Sequence, residues 1–285
     1  MTPRPAISFV IPALNEAAAL PALLGDLRRI RAANEVIVAD GGSTDATRQV
    51  AAAEGAVVVT SPPGRGCQLR RGAATARADI LCFLHADVRL DAAAVVAIDR
   101  AHTTLDDSAV VLSLRIAGSG IAYRVIERAA NLRSRVAALP YGDQGLLLSR
   151  ETYTRAGGFP DVPLMEDVAL MLSLRRHVRI RVLPESVTVS ARRWERDGVA
   201  RRTLHNWSLL LRYLLGGAPE SLAAMYPSDA PPSLRSAHQA SQSSIVSMSR
   251  RASSSDTRSP AAAAADNVAT SVSDVLQGMP PNSAG

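Results

Sequence analysis

The chain contains no lysine: all 32 of its Lys+Arg residues are arginine. Without lysine there is no Walker A phosphate loop, whose lysine reaches the nucleotide phosphates. Schiff-base and pyridoxal chemistry, which need a lysine amine, are excluded as well. Cysteine is nearly absent, with only Cys67 and Cys82. Two cysteines make neither a structural zinc site nor the disulfide frame of a small secreted protein. Aromatic residues make up 4% of the chain, so stacking platforms for bases are scarce. The formal net charge of +6 comes from scattered arginines rather than a basic cluster. That pattern argues against nucleic acid and suits phosphate or anionic lipid. The first residues, MTPRPAISFV, lack a charged leader followed by a long apolar run. No stretch approaches the ~20 apolar residues of a membrane span. A cytoplasmic protein without a transmembrane segment is expected.

What is present is an alternation of apolar runs and helical patterns. Strands are expected over 7–14, 35–40, 56–61 and 79–87, with helices over 16–31, 44–55 and 68–78 between them. Continuous apolar strands separated by helices of this length mean βαβ units and a largely parallel sheet buried on both faces. The second half is less regular. A strand over 109–118, a helix over 121–139, a loop entering a strand over 141–149, a helix over 166–177 and short strands within 178–194 are expected. The helix over 199–217 has an arginine-rich start and a greasy end. It is expected to pack on the domain, with a membrane surface as its alternative. After Tyr226 the composition turns to Ser, Ala and Pro without periodicity, and 227–285 reads as a disordered tail.

In parallel sheets, ligands bind beyond the carboxyl ends of the strands. Those ends carry Asn15 and Glu16, then Asp40, then His85 and Asp87. A carboxylate at that edge suits Mg²⁺ or Mn²⁺, which take few protein ligands and fill their shell with phosphate oxygens and water. A helix-capping role for Asp87 is the competing reading. Gly41 and Gly42 after Asp40 let the backbone turn sharply, as in any strand–turn–helix junction. Gly64, Arg65 and Gly66 place one guanidinium before a helix, which suits an anion. Glu166 and Asp167 open a helix, where acids complement the dipole. One of them is also placed to act as a general base. Asp143 and Gln144 line a pocket or form a turn. Arg193 and Trp194 offer charge and a stacking surface.

The run FVIPALNE, VADGGSTD, GRGCQLRRGA, FLHAD and GGFP…ED resembles the family 2 glycosyltransferases with a GT-A fold. The order of the motifs over about residues 7–226 carries the resemblance more than any one of them. It implies an α/β, Rossmann-like sheet flanked by helices, with a nucleotide-binding half over about 1–118 and an acceptor half over about 119–226. It also implies an inverting transfer from a nucleotide-diphospho-sugar, often UDP-linked, to a hydroxyl acceptor, with Mg²⁺ or Mn²⁺ as cofactor. On the donor side it matches Pro12, Ala13, Asn15, Glu16, Asp40, Arg65, His85 and Asp87, with Asp87 as the metal carboxylate. Asp167, in the Glu166-Asp167 pair, matches the catalytic base. Arg193 and Trp194, with Asp143 and Gln144, fall to the acceptor and diphosphate side. Ser190 stands where processive members carry glutamine, so processive synthesis is not expected. Gly41 stands where a second aspartate is expected, and His85 where the metal motif begins with one. A nucleotide-sugar binder without activity is the alternative. FLHADVRLD, YGDQG and SARRWERDG are similar to a bacterial subgroup associated with arsenosugar biosynthesis.

Overall fold

The computed structural model describes residues 6–32 and 34–226; the tail expected over 227–285 lies outside them. The first half follows the expected alternation. Strand β1 (Ile7–Ala13), helix α1 (Leu20–Leu27), β2 (Asn34–Asp40), α2 (Thr47–Ala53), β3 (Val57–Thr60), α3 (Arg65–Thr75) and β4 (Ile80–Phe83) succeed one another. Strands β5 (Val88–Leu90) and β6 (Ser108–Ala117) flank α4 (Ala92–Ala101). Helix α5 (Ile121–Val136) leads through a 3₁₀ turn (Gly142–Gln144) into β7 (Leu146–Ser149) and α6 (Arg150–Arg155). Then come α7 (Glu166–Leu174), β8 (Arg179–Ser190), α8 (Arg192–Asp197), α9 (Val199–Leu214) and α10 (Pro219–Met225).

One eight-stranded sheet runs in the order β3-β2-β1-β4-β7-β6-β8-β5. Strands β3, β2, β1 and β4 are mutually parallel. The second half is mixed: β7 is antiparallel to β4 and β6, β8 is parallel to β6, and β5 is antiparallel to β8. Successive side chains of β1 face opposite layers, as the pleat requires. Ile7, Phe9 and Ile11 join one core with Leu20, Leu23 and Leu27 of α1. Val10 joins the other, with Ile37, Leu69, Leu81, Phe83 and Leu148. Phe83, Tyr153 and Phe159 close this second core, with ring centroids 4.9–6.0 Å apart.

Three differences from the sequence reading matter for function. The expected strand 79–87 stops at Phe83, so Asp87 lies in the turn between β4 and β5. Strand β5 is short and its partner, β8, lies about a hundred residues away, which no local pattern reveals. The expected short strands within 178–194 form one continuous β8, with a register irregularity opposite Val111 and Ser113. Asp26 anchors the β5 segment. Its buried carboxylate accepts from Arg89 Nε (2.7 Å), Arg89 Nη2 (3.1 Å) and the Leu90 amide (3.0 Å). Burial alone would raise this carboxyl, but the Arg89 and Leu90 bonds outweigh it and hold it below the usual range.

Contacts divide the chain after His205, a boundary that falls within α9. No described helix is long and apolar enough to cross a membrane.

Helix α3 lies unusually close to the sheet because Gly72 has no side chain. A methyl there would stand 2.4 Å from Val10 Cγ1. Alanine gains about 1 kcal/mol of helix propensity over glycine, but overpacking a tight core costs about 1–3 kcal/mol. Gly72→Ala is therefore expected to lower stability by up to about 2 kcal/mol, measured as the shift of the denaturant midpoint at unchanged slope.

Candidate active site

The edge where β1 and β2 end is a stitched corner. Asn15 adopts a left-handed backbone (φ 56°), which asparagine tolerates better than most residues. Its amide donates to Ser43 Oγ (2.9 Å), and its side-chain Oδ1 accepts from the Thr44 amide (2.9 Å). The Glu16 amide donates to Thr47 Oγ1 (2.8 Å) and the Ala17 amide to Asp45 Oδ2 (3.2 Å). Asp40 is 0% exposed, and its carboxylate accepts from the Gly42 and Ser43 amides. Pro12 and Ala13 pair with Ala39 and Asp40; Ala13 offers the corner its carbonyl, which accepts from the Gly41 amide.

Sequence reading missed Gln68. This buried amide donates to the Ala13 carbonyl (2.8 Å) and the Ala39 carbonyl (2.9 Å), locking the two strand ends together. A methyl on Gly41 would stand 2.9 Å from Gln68 Nε2, so Gly41 is where it is because Gln68 fills the space. The available signal was a lone amide on the inner face of α3, next to Leu69.

A second corner forms where α3, the β4–β5 turn, the 3₁₀ turn and α7 meet. Asp167 opens α7, and its Oδ2 accepts from the Gly142 amide (2.9 Å). Oδ1 accepts from the Val168 amide (2.8 Å). Met165, just before them, is held in the left-handed region (φ 67°). A methyl on Gly142 would stand 3.0 Å from His85 Nε2 and 3.4 Å from Asp167 Oδ2. His85, Tyr141, Gly142, Glu166 and Asp167 line one pocket, with Leu69 and Phe159 among its apolar walls. His85 is thus brought to the predicted base, a neighbour that sequence reading did not assign to it. Burial, then the charges of Arg65 and Arg193, hold the imidazole well below its ordinary range; it is neutral.

Electrostatic coupling ties the two corners together. Burial raises the Glu16 carboxyl; the charge of Asp87 adds to the rise, while Arg192 and Arg193 oppose it. Asp143 rises to about 6, chiefly through burial, with Arg133 and Arg65 opposing and Asp167 and Asp87 reinforcing. Its Oδ1 is buried without a hydrogen bond. Arg133 lies 3.6 Å over the Tyr141 ring.

Three of the predicted site residues make structural contacts. Gln144 is fully buried and faces the core: it accepts from Ser134 Oγ (2.6 Å) and donates to the Leu112 carbonyl (3.0 Å). The neighbouring Asp143 faces the charges while Gln144 turns inward, because the 3₁₀ turn points adjacent side chains to different sides. Trp194 is half-buried and packs in part against the core. Glu166 is 1% exposed and bonds Arg65 across 101 residues of chain. The pair joins the start of α3 to the start of α7, so Glu166 acts as a brace and leaves Asp167 as the open carboxylate.

No group of three or more His, Cys, Asp or Glu side chains suited to a metal occurs among the described residues. Asp87 fits the simpler arrangement, one carboxylate on a turn with Glu16 in its field, in which phosphate oxygens and water complete the shell.

Burial holds Glu166 above the ordinary carboxylate range, and Arg65 opposes this rise. A raised carboxyl stabilises the fold below its unfolded value and loses that stability as pH climbs through the folded one. Arg65→Met removes the opposing charge and widens the window of loss. The variant's melting temperature is expected to fall further behind the parent at pH 8 than at pH 5, read from paired thermal melts. An equal deficit at both pH values would refute the brace.

Known proteins share the fold. The model of "Glycosyl transferase family 2" matches residues 8–145. An uncharacterized glycosyltransferase of Mycobacterium bovis is 41% identical over 88 residues, 30% of this chain and 39% of that protein. A counterpart in Mycobacterium tuberculosis matches to the same extent. The match therefore spans well under half the length of these curated relatives. Among solved structures, glucosyl-3-phosphoglycerate synthase from M. tuberculosis, in complex with Mn²⁺, UDP and glucosyl-3-phosphoglycerate, superimposes with a TM-score of 0.50 at 26% identity. That match covers 65% of this chain and 70% of the other. S. aureus TarS 1-349 shares the fold, with a TM-score of 0.54 at 16% identity, over 65% of this chain and 60% of that one. With its mixed, mostly parallel sheet flanked by helices, the chain has the GT-A fold, and its residues 8–145 are similar to the Glycosyl transferase family 2 domain.

Proposed function

We propose that the chain is an inverting glycosyltransferase that moves a sugar from a UDP-linked donor to a hydroxyl acceptor. The observation that carries this reading is the seating of Asp167. Its Oδ2 is fixed by the Gly142 amide, its side chain lines a pocket with neutral His85, and Asp87 lies on the adjoining turn of the same sheet edge. The relatives' glycosyltransferase names and the UDP and Mn²⁺ bound by a neighbour of the same fold support it.

In this reading the Asn15–Glu16 and Asp40–Thr44 loops cradle the nucleotide, and their mutual bonds make the cradle rigid before the donor arrives. Asp87, with Glu16 nearby, would hold Mg²⁺ or Mn²⁺, and a bound ion would supply positive charge to stabilise the leaving diphosphate. Arg65 and Arg193 give the same pocket fixed positive charge. Asp167 accepts the acceptor hydroxyl's proton as its oxygen attacks the anomeric carbon from the face opposite the diphosphate, and the carbon–diphosphate bond breaks. The two carboxylate–amide bonds keep Asp167 aimed.

Peripheral contact of the 199–217 helix with a membrane belongs to the same proposal. The likeness of FLHADVRLD, YGDQG and SARRWERDG to the arsenosugar-associated subgroup is carried forward as a guide to acceptors worth assaying.

Loss of a general base costs about 10²–10⁴-fold in rate. Asp167→Asn and Asp87→Ala are each expected to lower UDP release from UDP-sugars with Mn²⁺ at least 100-fold, with parental melting curves. Retained turnover in Asp167→Asn would sink the base assignment. Donor binding without turnover in the parent chain, tested across an acceptor panel, would instead favour the silent binder.

A further inference from the structure

Helix α5 has its apolar residues on the side away from the fold. Its buried positions are Tyr123, Glu127, Ala130 and Ser134, spaced as one helix face. That inner face is bonded to β6: Glu127 accepts from the Ile116 amide (2.6 Å), and Asn131 exchanges bonds with both backbone groups of Leu114 (2.7 and 3.1 Å). The outer face carries Ile121, Val125, Leu132 and Val136, which are 83%, 57%, 62% and 78% exposed. At ~100° per residue these four fall within an arc of about 60°. Exposed Arg128, midway along the helix, lies just outside one edge of that arc, about 20° beyond Ile121; Arg135, further round on the same side, donates to Ser113 Oγ (3.1 Å). The helix has one acidic residue, Glu127, and it is on the opposite face.

Four large aliphatic side chains aligned on a solvent-facing helix form an interaction surface rather than scattered exposure. Its charge indicates what covers it. An antiparallel second copy would centre the stripe on itself and set Arg128 against Arg128 of that copy, two like charges side by side along one edge of the seam. A surface with an apolar interior and negatively charged phosphates at its boundary satisfies both features at once. Helix α9 repeats the pattern independently. Leu204, Trp207, Leu211 and Leu215 are exposed at spacings of three, four and four, and α9 contains no acidic residue. Tryptophan favours the boundary between lipid and water.

We propose that the outer face of α5 docks on an anionic lipid surface, with Ile121, Val125, Leu132 and Val136 inserted at the acyl boundary and Arg128, at the edge of that stripe, against head-group phosphates. Docking concerns where the chain works and stands apart from the sugar-transfer reading.

Co-sedimentation of the full chain with vesicles of phosphatidylglycerol or of phosphatidylcholine tests it, beside sedimentation velocity without lipid. The parent chain is expected to bind the anionic vesicles and not the zwitterionic ones. Val125→Glu/Leu132→Glu is expected to weaken that binding at least tenfold, and Arg128→Ala about fivefold, the effect of ~1 kcal/mol per arginine at the surface. Both variants should keep parental melting curves, because the altered residues are exposed, and parental UDP release, because none lines the pocket. Absent binding, equal binding to both vesicle types, or a lipid-free dimer dissolved by the Val125→Glu/Leu132→Glu change would overturn the proposal. Failure of UDP release in every chain, with vesicle binding intact, would overturn the transferase reading alone.

Discussion

A single ion pair decides whether the candidate site exists as a site. Arg65 and Glu166 bond across the junction of α3 and α7, and each needs the other for a different reason. Glu166 is almost wholly removed from water, where an isolated carboxylate is costly and takes up a proton instead. Arg65 stays partly exposed and donates from a guanidinium that keeps its charge at every accessible pH. The contact is close because Gly66 is bare: a methyl there would stand 2.4 Å from the Pro160 carbonyl. The pair therefore sets the distance from the anion-facing loop to the start of α7, and Asp167 follows one residue after Glu166. Removing it would displace Asp167 without altering Asp167 itself.

The first half of the fold was legible because its rules are local. Each of β1, β2 and β4 is an apolar run, each helix between them is short and bounded, and parallel strands joined by helices admit few arrangements. The sheet edge, and the convergence of Asn15, Asp40 and Asp87 on it, follow from that alone. The second half pairs residues far apart in sequence. Strand β5 is three residues long and exists because β8 and the Asp26–Arg89 clamp hold it. Neither partner is visible from the hexapeptide around it.

The site was legible in its residue types and less so in their division of labour. Glu166 and Asp167 are adjacent acids at a helix start, and only the family resemblance, not their residue types or spacing, told them apart. Burial of one and amide seating of the other separate them. Asp143 and Gln144 were equally paired, yet the 3₁₀ turn sends Gln144 into the core and leaves Asp143 among the charges. His85 looked like a departure from a metal motif. Its position beside Gly142 gives it a second identity, a neutral wall of the pocket that holds Asp167.

The two corners also differ in how much chain their bonds enclose. The ties of the nucleotide corner join residues 28–31 apart, within one βαβ unit. The Arg65–Glu166 tie encloses 101 residues. Closing the longer loop costs about 1 kcal/mol more in chain entropy, and its two ends are far apart along a growing polypeptide. The corner around Asn15 and Asp40 can thus be complete as soon as its own βαβ unit is made. The Arg65–Glu166 tie cannot close until far more chain exists, so the pocket around Asp167 assembles later than that corner.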